Sequence, residues 1–122
     1  MIILVRGVRG AISVDKNEPI EILERVEELL VAMVQANKIQ TEDIASITFS
    51  STADLNAAFP ALAARKLGWI DVPLFGTLEI DCPTGLPRCI RALILLNTDL
   101  PQNAIKHIYL REAVILRPDV RK

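Results

Sequence analysis

The chain holds one histidine and two cysteines, Cys82 and Cys89, in 122 residues. Two thiols cannot build a disulfide framework, and with a single imidazole they do not make a metal site. They read as free thiols of a cytoplasmic protein. No apolar run reaches the roughly 18 residues that suggest a membrane-spanning helix, and the opening residues are too few and too strand-like for a signal peptide. Neither sign of charge dominates. A net charge of −1 and a pI near 5.8 leave no basic field for nucleic acid. The run Arg6-Gly7-Val8-Arg9-Gly10 lacks the GxGxxG spacing of a dinucleotide fingerprint, and no phosphate loop occurs elsewhere. Paired carboxylates at catalytic spacing are missing too. His107 lies between a polar turn and a strand, the usual place of a structural hydrogen bonder. Neither cysteine has an obvious activating neighbour.

What is present is apolar. Hydrophobic residues make up 51% of the chain, charged residues 24%, and the mean hydropathy is +0.33. This is a globular balance at its greasy end, expected as one domain over residues 1–122 with surplus apolar surface for a subunit interface. Ile2 to Val14 reads as a strand, and its glycines suggest a bulge or a close backbone approach. Pro19 then suits the first turn of a helix. Ile22, Leu23, Val26, Leu29, Leu30, Met33 and Val34 follow at helical spacing, with glutamates on the solvated face and a stop at Asn37 and Lys38. A second strand spans Ile44 to Ser51. Pro60 divides the next segment into a turn and a helix ending near Gly68. A third strand is expected from Val72 to Asp81, a fourth around Arg91 returning antiparallel to it, and a last from His107 to Leu116. Two main helices on one five-stranded mixed sheet make an α+β (mixed α/β) fold.

The fourth strand carries the sharpest signal. In RCIRALILLNTD, residues 88–99, alternation sets Cys89, Arg91, Leu93, Leu95 and Asn97 on one face and Ile90, Ala92, Ile94 and Leu96 on the other. Apolar residues on both faces predict a central strand covered on both sides. An arginine there cannot shed its charge, so it faces water, a carboxylate or an anionic ligand. Glu79, on the preceding strand, could face it. Arg6, Arg9, Arg65, Arg91 and Arg117, with Tyr109 and Glu79, together suit a small, multiply anionic ligand held by charge-assisted hydrogen bonds.

Five stretches in order, VRGVRGA, DLNAAFPALAARKLGW, VPLFGTLEID, LPRCIRALILLNTD and HIYLREAVILRPD, resemble the monofunctional chorismate mutases of the trimeric α/β-barrel type, from about Val5 to Val120. The resemblance implies a homotrimer whose sheets pack into a central pseudo-α/β-barrel, with active sites between neighbours. It implies conversion of chorismate to prephenate on the route to phenylalanine and tyrosine. That reaction is a pericyclic, Claisen-type shift needing no cofactor, metal or nucleophile. By motif position, Arg91 corresponds to the arginine at the breaking ether oxygen, Arg9 to a carboxylate-binding arginine, Tyr109 to the tyrosine beside it, and Glu79 to the acceptor of the substrate hydroxyl. Phe59 and Arg65 correspond to pocket residues from the neighbouring subunit, Leu74 and Phe75 to substrate-binding positions, and Leu116 and Arg117 to the tail that closes the site. The sequence departs from the family where a pocket lysine is Leu62 and a cysteine is Gly76. Taken without the resemblance, Phe59 could be core, Arg65 an exposed helix charge and Tyr109 an interface hydrogen bonder. The same arginines would also serve a non-catalytic trimeric module that binds a carboxylated metabolite.

Overall fold

The structure, a computed structural model, describes residues 3–116. Its frame is a pair of long strands, β1 (Leu4–Ser13) and β4 (Cys89–Thr98), antiparallel and in continuous register from Leu4 opposite Thr98 to Ser13 opposite Cys89. On the other side of β4 lies β2 (Ile44–Ser51), also antiparallel to it. Two shorter strands run parallel to their neighbours at the edges: β3 (Leu74–Leu78) beside β2, and β5 (Ile108–Leu110) beside β1. The order is β3-β2-β4-β1-β5, with β4 at the centre.

Helix α1 (Pro19–Asn37) links β1 to β2, and α2 (Ala61–Lys66) links β2 to β3. Both connections join parallel strands and step the same way across the sheet. Crossovers of one hand stepping one way put their helices on one face. The core lies there: Val8 and Ile12 of β1, Ile47 and Phe49 of β2, and Ile90, Ile94 and Leu96 of β4 meet Ile22, Val26, Leu29, Leu30 and Met33 of α1 and Ala63 and Ala64 of α2. Among the described residues, the other face of the central strand is covered only at its start, where Cys89 and Ala11 are buried with Ala113, against the two-sided cover expected along its length. On the open face Leu93 is 38% exposed, and Val5, two side-chain rows along, 55%.

Three more expectations change. No bulge interrupts β1, and the register shift falls in β2, between Ile44 and Ser46. Gly10 serves close approach instead, since a Cβ there would lie 2.5 Å from Met33 Sδ of α1. The third and fourth strands run antiparallel but are not neighbours, because β2 lies between them. The last strand stops after three residues. Arg111 takes a left-handed φ of 55°, which ends the strand and begins a 3-10 turn over Arg111–Leu116. That turn is tied down by the Glu112 N–H donating to Ser13 Oγ at 3.0 Å and by Arg111 Nη2 donating to Glu28 Oε1 at 2.9 Å.

Candidate active site

Strand register lines up side chains across the open face. One row runs from Thr77 on β3 through Ser50 on β2, Arg91 on β4 and Ala11 on β1 to Tyr109 on β5. The next row holds Phe75, Thr48, Leu93 and Arg9. Paired residues on adjacent strands point the same way, so Arg91, Arg9 and Tyr109 converge although they are far apart in sequence. Thr48, Ser50, Leu93 and these three line a shallow cavity of about 210 Å³. A larger one of about 620 Å³ adjoins it, lined by Arg91, Glu79, Thr52, Asp54, Cys82 and Leu86 among others. Arg91 lines both.

Glu79 follows the end of β3, where its N–H donates to Ser51 O at 2.9 Å. Its Oε1 accepts the Ser50 hydroxyl at 2.9 Å, and its Oε2 lies 3.7 Å from Arg91 Nε. That separation is an ion pair without a hydrogen bond. The Arg91 side chain is 42% exposed and that of Glu79 28%, so the pair sits at the mouth of the cavities. Arg9 is exposed, and its backbone N–H donates to His107 Nδ1 at 3.0 Å. His107 thus ties β1 to the segment entering β5, the structural role its position suggests.

Of the other residues picked from the sequence, Phe59 is 83% exposed, which removes the core reading. It lines a separate hollow of about 520 Å³ with Gly76 and Leu78. Arg65 is exposed on α2. Neither lines the Arg91 cavities within one chain. Leu74 packs against the helix-side core, whereas Phe75 stands on the open face, 66% exposed. Leu116 packs on Ala11, Cys89 and Ala113; Arg117 lies outside the described residues. Leu62 is 43% exposed. Ser50 was missed by the sequence reading. Its alternation with Thr48 in IASITFSS gives its face, but nothing local says that Glu79 and Arg91 are its neighbours.

The two thiols differ. Burial pushes the Cys89 thiol up to about 11, while a hydrogen bond with Thr84 holds that of exposed Cys82 below its usual value. Among the described residues no group of three His, Cys, Asp or Glu side chains is arranged to hold a metal ion. None of the described helices is long and apolar enough to cross a membrane. What remains is two guanidiniums, a phenol and a carboxylate around two adjoining hollows that share Arg91, a set fitted to a compact anion bearing a hydroxyl.

A model of the family described as chorismate mutase type I matches residues 5–120. Over 118 residues the chain is 51% identical to chorismate mutase AroH of Thermus thermophilus, spanning 96% of this chain and 97% of that protein. It is 42% identical to chorismate mutase AroH of Bacillus subtilis strain 168, again over 118 residues, 96% of this chain and 93% of that one. Among solved structures, a chorismate mutase from Clostridium thermocellum superposes with a TM-score of 0.88 at 43% identity, covering 89% of this chain and 97% of that one.

Proposed function

The chain belongs to the chorismate mutase type I family, and from that premise we propose that its Arg91 cluster is where chorismate becomes prephenate. The protein is a chorismate mutase, an isomerase of aromatic amino-acid biosynthesis. Its reaction breaks an ether C–O bond and forms a C–C bond within one molecule. No proton moves, so the site has two tasks. It must hold a floppy dianion in the compact conformer that reacts, and it must stabilise the negative charge that gathers on the ether oxygen as its bond lengthens.

Arg91 performs the second task. Its guanidinium is permanently charged, stands on the central strand and lines both hollows, which is the observation that carries the assignment. Arg9 neutralises a carboxylate, and Tyr109 beside it donates to the same anion. Glu79 accepts from the substrate hydroxyl and so fixes the ring. Phe75 flanks the ring from β3, and Leu74 backs that strand from the helix side. Because charge on the ether oxygen exists only in the transition state, the Arg91 contact strengthens there and lowers the barrier rather than merely binding substrate.

Phe59, Arg65 and the exposed apolar face fit a homotrimer in which each chain completes its neighbour's hollow, with Leu116 at its edge. The domain spans residues 1–122, and the cytoplasm suits its free thiols. The decisive measurement is the loss of chorismate absorbance. Arg91→Ala should lower kcat by about 10²–10³-fold, the usual worth of one preorganised donor. Arg91→Lys should recover only part of this, since an ammonium lacks the planar fork. Normal turnover by Arg91→Ala would remove Arg91 from the mechanism.

A further inference from the structure

Resting on the roles just given to Arg91 and Glu79, we propose that Ser50 is a positioning residue that stops the Glu79 carboxylate from clamping the Arg91 guanidinium. A carboxylate beside a guanidinium frequently closes into a two-point fork, with N···O distances of about 2.7–2.9 Å. Here the closest approach is 3.7 Å, from Arg91 Nε to Glu79 Oε2. The other oxygen is held by the Ser50 hydroxyl at 2.9 Å. Ser50 is placed for this by register, since it sits opposite Arg91 on the adjacent strand. The Glu79 backbone is pinned to Ser51 O at 2.9 Å, so side-chain torsion is the freedom that would close the fork. The hydroxyl restrains that freedom on the Glu79 side.

Thr77, the neighbour of Ser50 on β3, cannot take over. Thr77 Oγ1 donates to Phe49 O at 2.9 Å. Ser50 also lines the smaller hollow with Arg91, so the guanidinium donors spared by the open pair point toward space that substrate fills. A closed fork would consume those donors and set a full negative charge where the ether oxygen must develop its own. The consequence falls on the transition state more than on the bound substrate.

The test compares kcat, KM and thermal midpoint for wild type, Ser50→Ala, Ser50→Thr, Glu79→Gln and the Ser50→Ala/Glu79→Gln pair. Ser50→Ala should lower kcat about three- to tenfold, the scale of one net hydrogen bond, with little change in the midpoint. Ser50→Thr keeps the hydroxyl and should restore kcat. In the Glu79→Gln background Ser50→Ala should cost nothing further, because a neutral amide does not form the charged fork. The inference is overturned by a wild-type kcat in Ser50→Ala, by a threonine variant as slow as the alanine, or by an equal loss in both backgrounds. Arg91→Ala run alongside separates the two claims. An inactive Arg91→Ala with a normal Ser50→Ala sinks the role of Ser50 alone, whereas an active Arg91→Ala sinks the site itself.

Discussion

Cys89 opens the central strand with its thiol packed against Ala11 and Ala113 and 1% of its surface exposed. A thiolate there would lose its hydration, so burial raises the thiol from 9.0 to about 11, with the charge of Arg91 pulling weakly the other way. The native state therefore holds this proton more tightly than the unfolded chain. The stabilisation is fully present below pH 9.0 and disappears as pH rises toward 11. By pH 11 the loss should be on the order of 2 kcal/mol. Urea midpoints of wild type and Cys89→Ala across that range check it. Their difference should shrink or reverse above pH 9.0, and parallel curves would contradict the buried-thiol argument. The same scale shows what a sequence can reveal of a site. An arginine within an apolar strand declares itself by chemical type, and Glu79 does come within 3.7 Å of Arg91. Ser50 does not declare itself, because its importance lies in which strands flank it.

At the scale of elements, Gly10 sets how closely α1 lies on β1. A methyl group there would meet Met33 Sδ at 2.5 Å and Leu29 Cδ1 at 3.1 Å. Both side chains are fully buried, so neither can swing into solvent. Gly10→Ala should destabilise the fold by about 1–3 kcal/mol through overpacking, offset by only about 0.4–1 kcal/mol from the stiffer unfolded chain. Combined with Met33→Ala, which opens space at the same point, the two changes should be less than additive by denaturant titration. Strict additivity would mean that the contact does not limit packing. The helix itself was legible as 19–37 and β2 as 44–51, with α1 starting at Pro19 and ending in the left-handed Lys38. Their periodicity and end signals are local. The neighbour order of the strands was not legible, because β2 enters between β3 and β4 through long-range pairing. The shortness of β5 was hidden for a related reason. HIYLREAVIL has strand-like composition throughout, and the break at Arg111 comes from its left-handed backbone and its tie to Glu28.

Among the described residues, one face of the sheet is dressed with α-helices and the other only at one end, by the 3-10 turn over Ala11 and Cys89. Sequence periodicity reports that a face is apolar, never whose atoms cover it, which is why β4 read as covered on both sides. Phe75 at 66% and Leu93 at 38% exposure lie in the row of Arg9, and Val5 at 55% stands farther along the same face, so apolar surface is spread over it. Left in water, that surface forgoes the favourable free energy of burial. Closing it against other copies of the chain, as proposed for the trimer, would bury it and deepen the hollow around Arg91. A substitution outside the arginine cluster tests this. In a lone chain Val5→Asp is a surface change, worth less than about 0.5 kcal/mol. In a closed assembly the same carboxylate is buried without a partner and costs several kcal/mol. Wild type should sediment at three times the 13.5 kDa chain mass. Val5→Asp should keep its circular dichroism but sediment as a single chain, and its turnover should fall with its assembly. An active Val5→Asp monomer would show that one chain forms a complete site and that the open face serves something other than catalysis.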